Sequence, residues 1–418
     1  MKRTILRSAA VLGTVGFASL LLVACGGKKD DSAASENELT VYVDNGYKAY
    51  MEEAAKAFEK ESGTKVTIKT GDALGGLDKL SLDNQSGKAP DVMMAPYDRV
   101  GGLGNDGQLA EVTLNKDSKT DKTTESLVTN GGKVYGAPAV IETLVLYYNK
   151  DLMQEAPKTF GELEELAKDS KYDFAGEDGK NTAFLADWTN FYYAYGLLSG
   201  NGGYVFGKDG TEPKDIGLNN QGAIDGIEYA KTWYAKWPKG LQDTKGAANF
   251  IQTQFQEGKT AAIIDGPWKA SSLKEAKVNY GVATIPTLPN GKAYSAFGGG
   301  KAWVIPAGAN HPEAAQKFVD FLTSTDQQKA FYDKTNEVPA NTEARKYAVG
   351  KNDELTTAVV KQFENAQPMP NISEMSTVWD PAATMLFDAV SGKKSSKDAA
   401  DDAVKLIKET IEQKFGGK

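Results

Sequence analysis

The sequence predicts an α/β fold with a mainly parallel sheet, and two features carry that expectation. From Leu39 onward, short strand patterns alternate with helical ones, as in repeated β-α-β units. The chain is also 40% apolar and 25% charged over 418 residues, a globular composition long enough for two ordinary domains of about 150 residues each.

The elements follow in order. Leu39-Thr40-Val41-Tyr42-Val43 alternates as a strand does. Tyr50, Ala54 and Phe58 recur at a spacing of four, and Gly63 stands where a helix would stop. Lys65-Val66-Thr67-Ile68 reads as the next strand. A helix over 77–84, a strand over 91–95, a helical turn near Val100 and a strand pair within 136–148 continue the pattern. Helices are expected over 161–169, 188–198 and 223–237, the last ended by Pro238, whose ring cannot continue a helix. Short apolar strands fall at 260–265 and 280–286. The final helix carries Val404, Ile407, Ile411 and Phe415 on one stripe, which reads as a docked core face.

The N-terminus has its own logic. Lys2, Arg3 and Arg7 precede an apolar run from Ser8 to Ala24 that is short for a membrane span and reads as a secretory signal over residues 1–24. It ends in Leu22-Val23-Ala24-Cys25-Gly26, which resembles the bacterial lipobox and makes Cys25 the expected lipidation site; the alternative is an ordinary signal that happens to contain a cysteine. Residues 25–37 then form the lipidated cysteine and a tether too small and polar to fold, holding the domain on the order of 20 Å from the membrane. Two acyl chains on one cysteine suffice for stable anchoring.

The composition also excludes functions. A net charge of −8 argues against a nucleic-acid partner, and a single histidine with a single cysteine argues against a metal site, a His-based triad or thiol chemistry. His311, before Pro312, reads as an exposed turn residue. No nucleotide-binding G-x-x-x-x-G-K-[ST] segment is present, and no cofactor is expected.

Five segments carry a resemblance to a known family: Pro90-Asp91-Val92 leading to Tyr97-Asp98-Arg99-Val100-Gly101-Gly102; Gly136 to Glu142 running into Tyr148-Asn149-Lys150-Asp151-Leu152; Gly202 to Phe206; Asp265-Gly266-Pro267-Trp268; and Met369 to Ser376 reaching Trp379. In this order they resemble the maltose/maltodextrin-binding proteins that serve ATP-binding-cassette importers, closest to the lipoprotein members of Gram-positive bacteria. The resemblance implies a two-lobed periplasmic-binding-protein-like fold with a ligand cleft between lobes and several hinge crossings. Crossings are expected near 141–143, 283–287 and 345–353, with residues 38–141 plus 287–345 in the first lobe and 144–282 plus 350–418 in the second. It further implies a maltodextrin ligand, no catalysis, membrane permease subunits as partners, a monomer, and lipid anchoring at the extracellular face of the cell membrane.

A glucose ring has apolar faces and a hydroxyl rim, so its site needs flat aromatics together with polar side chains. By resemblance, Trp268 and Trp379 are the stacking tryptophans, with Gly266-Pro267 holding a turn that exposes the Trp268 indole. Tyr192 and Tyr193 fall at aromatic ligand positions. Within the cluster Trp188, Phe191, Tyr192, Tyr193 and Tyr195, helical spacing makes about half core; Trp233 and Trp237 match no motif and read as structural. Asp98, Arg99 and Glu142 match the family's hydroxyl-binding charges, since carboxylate and guanidinium each bond two hydroxyls. Taken without the resemblance, Asp98-Arg99 reads as a surface ion pair and Glu142 as paired within the protein. Met369 and Asn190 are assigned to the site by position; Tyr47, Lys48 and Asp72 require a gap in the match.

The sequence departs from the enterobacterial pattern at three places. Ala95-Pro96 replaces a tryptophan, Asn190 replaces a glutamate, and Asp380-Pro381-Ala382-Ala383 stands where a tyrosine and an arginine are expected. Fewer contacts per ring favour longer α-glucans over maltose. Two alternatives stay open: another oligosaccharide or solute in the same fold, and a glycoside hydrolase using two carboxylates roughly 5 to 10 Å apart.

Overall fold

The computed structural model describes residues 38–416. The signal segment, Cys25 and the tether expected over 25–37 lie outside the described residues. Within the described part, two larger sheets, of six and four strands, are packed with helices over apolar cores, and two two-stranded sheets lie outside them. Residues at or near the strand ends of both larger sheets line one cleft.

The first sheet has six strands. Glu38–Asp44 runs parallel to Lys65–Gly71 and to Val92–Pro96. Phe297–Val304 is antiparallel to Val92–Pro96 on one side and to Ala137–Glu142 on the other, and its first residues run parallel to Gln367–Pro368. The second sheet has four strands: Tyr280–Ala283 and Ala262–Asp265 flank Val145–Asn149 in antiparallel fashion, and Phe184–Leu185 runs parallel to Ala262–Asp265. The expected mainly parallel sheet is therefore mixed, and connectivity explains why. Strand Ala137–Glu142 ends at the cleft and, after Thr143 and Leu144, strand Val145–Asn149 begins in the other sheet. The chain re-enters the first sheet at Phe297, from the cleft end, so that strand must run opposite to its neighbours. The strand pair expected within 136–148 is accordingly two strands in different sheets, not a hairpin.

This geometry places the cleft at the carboxyl ends of Glu38–Asp44, Val92–Pro96, Ala137–Glu142 and Ala262–Asp265, the position where open α/β sheets bind ligands. The helices follow the local chemistry. Lys48–Ser62 ends at Gly63, whose φ of 73° lies in the left-handed region glycine tolerates. The helix expected over 77–84 is two pieces, Ala73–Asp78 and Leu80–Ser86. Gln221–Tyr234 starts where Asn220 accepts from the Ala223 amide, and stops short of Pro238.

The core of the second half is aromatic. Trp188, Trp233, Trp237, Phe184 and Phe160 are all fully buried, with Trp188 and Trp237 ring centroids 5.1 Å apart. Both Trp233 and Trp237 are structural, as expected from sequence. Each such side chain contributes about 1.5–3 kcal/mol by leaving water. His311 differs from expectation. It is half-buried, its amide donates to Asp91 Oδ1 at 2.8 Å, and Asp91 Oδ2 accepts from the Thr40 amide at 2.7 Å, so the pair fastens the start of strand Val92–Pro96. In the last helix, Ser396–Phe415, Val404 and Ile407 are core, but Phe415 is half-buried and lines the cleft. No described helix is long and apolar enough to cross a membrane.

Candidate functional site

A cavity of about 690 Å³ occupies the cleft, within the ~300–1,000 Å³ usual for small-molecule sites. Its aromatic wall comes from the second half. Strand Ala262–Asp265 ends at Gly266, and the chain turns so that the Trp268 indole folds back over Gly266; a Cβ there would sit 2.1 Å from the ring. The indole stays 43% exposed, a large apolar face offered to solvent. Tyr192 lies beside it, ring centroids 6.1 Å apart, and also meets Phe297 at 6.0 Å. Trp379 opens the helix Trp379–Val390 and is braced edge-on by Phe191 and Phe297, each at 5.9 Å.

The polar side comes from the first half. Strand Val92–Pro96 leads directly into the helix Tyr97–Asn105, which is pinned by the buried Tyr97 hydroxyl donating to Val140 O at 2.8 Å. Asp98 in the first turn is thereby aimed at the cavity. Burial pushes its carboxyl up to about 6, opposed by the neighbouring Arg99 charge and by a backbone amide. Arg99 also lines the cavity, and its ion-pair partner is Asp78 at 3.2 Å rather than Asp98. Glu142 ends its strand at the cavity floor, where Lys301 Nζ donates to its Oε1 at 2.6 Å.

The floor itself is backbone. Gly300 has φ of 152°, and a Cβ on it would meet Val140 O at 2.0 Å and the Tyr97 ring at 2.7 Å, so only glycine lets the two strands close beneath the cavity. Behind the floor, Lys301 Nζ also donates to Tyr47 OH at 2.6 Å and to Glu337 Oε2 at 3.2 Å, while Tyr47 OH donates to Glu337 Oε1 at 2.7 Å. Burial opposes the Lys301 charge, yet Glu142 and Glu337 hold its ammonium well above the usual lysine range.

Of the residues singled out from sequence, the fold brings Asp98, Arg99 and Glu142 together with Tyr192, Trp268, Trp379 and Met369 in one cavity. Five others are placed elsewhere. Tyr193 supports the wall from behind, its hydroxyl donating to Asp265 Oδ1 at 2.9 Å, and Asp265 pairs with Lys269 at 3.2 Å. Asn190 caps its helix, Oδ1 accepting from the Tyr192 amide. Tyr47 is buried in the lysine–glutamate cluster. Lys48 points to solvent near Glu52, and Asp72 lies at the start of a short helix beside a separate cavity. Within the aromatic cluster, Trp188, Phe191 and Tyr195 are core. Sequence reasoning missed Lys301, Phe297, Leu74, Asp380 and Phe415. The run Phe297-Gly298-Gly299-Gly300-Lys301 was a usable signal, because glycines inside a strand mark close backbone approach. Among the described residues no group of three His, Cys, Asp or Glu side chains is placed to hold a metal.

Residues 53–358 match the family described as bacterial extracellular solute-binding protein. The chain is 74% identical, over the whole of both chains, to a Streptococcus pneumoniae protein named maltooligosaccharide ABC transporter solute-binding lipoprotein. It is 50% identical to the maltodextrin-binding protein MdxE of Bacillus subtilis, covering 98% of this chain and 99% of that one. Among solved structures, MalX from Streptococcus pneumoniae in complex with maltopentaose superposes with a TM-score of 0.87 at 76% identity, over 89% of this chain and 100% of that one. The chain therefore belongs to the bacterial extracellular solute-binding protein family.

Proposed function

We propose that this chain captures maltodextrins in the cleft and delivers them to an ATP-binding-cassette importer. The observation that carries the reading is the pairing of the Trp268, Tyr192 and Trp379 wall with Asp98, Arg99 and Glu142 in a single cavity. Flat rings match the apolar faces of glucose, and the charged groups match its hydroxyl rim with charge-assisted bonds. The high identity to a maltooligosaccharide-binding lipoprotein and to MdxE supports the same ligand class.

In this reading, Asp98, Arg99 and Glu142 orient the chain of sugars while the second half closes the aromatic wall over it. The lobes expected from sequence are residues 38–141 plus 287–345 and residues 144–282 plus 350–418. Leu288 and Tyr294, however, pack in the second core and the chain rejoins the first sheet at Phe297, so the second crossing is proposed near 296. The lobes bend about the crossings between them. The same reading places the protein, as a monomer, at the extracellular face of the membrane through lipid on Cys25, with permease subunits as partners. Binding rather than hydrolysis is the output, so maltoheptaose stays intact on incubation.

Isothermal titration with maltose, maltotriose and maltoheptaose tests the proposal. Affinity that strengthens with chain length is expected. No heat and no thermal shift with any of the three would refute the ligand, and release of shorter sugars dependent on Glu142 would refute the binding-only role.

A further inference from the structure

A cavity of about 470 Å³ lies at the edge of the first sheet and shares no lining residue with the cleft. Strand register builds its floor. Tyr42 is paired with Lys69 of the edge strand Lys65–Gly71 on one side and with Met93 on the other, and paired neighbours point to the same face of a sheet. The Tyr42 hydroxyl donates to Asp72 O at 3.1 Å, and its ring lies against Gly76, where a Cβ would come within 2.8 Å of it. The helix Ala73–Asp78 divides the two cavities, for Leu74 lines the cleft while Gly75 and Gly76 line this one. Lys79, Asp83 and Lys88 form the rim.

Charge sets what fits. Lys69, Lys79 and Lys88 are exposed around this hollow, and among the described residues none of the three ammonium groups has an ion-pair or hydrogen-bond partner. Asp72 and Asp83 line it too but pair with none of them, which leaves one positive charge in excess within a chain of net charge −8. Lysines lining other cavities are neutralised: Lys171 by Asp169 at 3.5 Å, Lys259 by Glu257 at 2.7 Å, Lys393 by Asp388 at 2.9 Å and Lys208 by Glu212 at 3.1 Å. Unpaired ammonium groups around one hollow repel one another, and an anion among them relieves the repulsion. A phosphate monoester, with about −1.5 to −2 charge and three acceptor oxygens, matches three lysines better than a carboxylate with one charge and two oxygens. The rest of the lining suits a polyol, because Asp72 and Asp83 can accept from hydroxyls and the half-buried Tyr42 ring offers a flat apolar surface to carbon. The volume is within the ~300–1,000 Å³ usual for small-molecule sites.

We infer that this cavity is a second binding site, which takes a phosphate monoester of a polyol: the three lysines hold the phosphate while Asp72 and Asp83 accept from the hydroxyls. The site does not rest on the maltodextrin reading, since its residues and the chemistry of its ligand are separate from those of the cleft.

Isothermal titration of the full chain in low-salt buffer, where exposed lysines are least screened, provides the test. The probes are glycerol 3-phosphate, inorganic phosphate, and glycerophosphoglycerol, a diester with the chemistry of a lipid headgroup. Saturable binding of glycerol 3-phosphate is expected, with the other two fivefold or more weaker. Lys79→Gln and Lys88→Gln should each weaken it tenfold or more and leave maltoheptaose affinity within twofold. Lys317→Gln, which removes the same charge from an exposed position on the helix Pro312–Leu322, should leave glycerol 3-phosphate binding within twofold. Saturating maltoheptaose should not displace the phosphate ester. No heat with glycerol 3-phosphate would overturn the site, as would an equal loss in Lys317→Gln or displacement by maltoheptaose. Inorganic phosphate binding as tightly would remove the polyol from the assignment, and equal or tighter binding of the diester would overturn the monoester in favour of a lipid headgroup.

Discussion

Lys301 Nζ lies 2.6 Å from Glu142 Oε1 across two adjacent strands, and the same ammonium reaches Glu337 and Tyr47, so one cation behind the cavity floor serves two carboxylates. Lys301→Met would leave both carboxylates partly buried without their cation. A loss of about 3 kcal/mol is expected in urea unfolding, because removing one partner strands the others. Maltodextrin affinity should fall with it, as Glu142 loses the contact that orients it. A variant within 1 kcal/mol of the parent and equal in affinity would show the cluster to be incidental.

Asp98 gives a pH dependence with a definite sign. Its folded-state value of about 6 is above the ordinary carboxyl range, so the empty protein gains stability as the pH falls from 7 toward 4 and loses it as the pH rises through 6. Asp98→Asn should remove that slope and stabilise the empty protein at neutral pH, by on the order of 2 kcal/mol. Sugar binding runs the other way, since hydroxyls donate better to the ionised form. Affinity should drop between pH 7 and pH 5 in the parent and be uniformly low in Asp98→Asn. Calorimetric melts and titrations at the two pH values check both signs.

The two tryptophans should separate stability from binding. Trp268 is 43% exposed, so Trp268→Ala should change unfolding free energy by less than about 1 kcal/mol while weakening maltotriose binding tenfold or more. Trp379 is braced by Phe191 and Phe297, and Trp379→Ala should cost both affinity and about 2–3 kcal/mol of stability. Equal stability losses in the two variants would contradict the packing described.

Gly266→Ala tests how the exposed indole is held. The added methyl would meet the Trp268 ring at 2.1 Å, so the indole must swing away. Binding should weaken nearly as much as in Trp268→Ala, with a shift in tryptophan emission on the empty protein. An unchanged emission spectrum and full affinity would mean that the turn has another way to seat the ring.

The sequence by itself determined the alternation of strands and helices and the residues held by short local motifs. Asp98 and Arg99 follow a strand end, Glu142 closes a strand, and Trp268 follows a glycine-proline turn, so local chemistry set where each stands along its element, while their membership of one site came from the resemblance to the maltodextrin-binding family. Only the tertiary structure decided the rest. The mixed sheet arises because the chain returns from the second sheet at the cleft end, a fact about long connections. The floor cation is a similar case. Tyr47 and Lys48 were expected at the ligand, but Tyr47 is buried beside Lys301 and the helix Lys48–Ser62 carries Lys48 to solvent, while the cation behind the floor, Lys301, meets Glu142 from 159 positions away and Tyr47 from 254. Phe415, on an apparently buried stripe, reaches the cleft because its helix outruns the core that covers Val404 and Ile407. Local periodicity tells which face of an element is apolar; which distant element covers that face is settled when the halves pack.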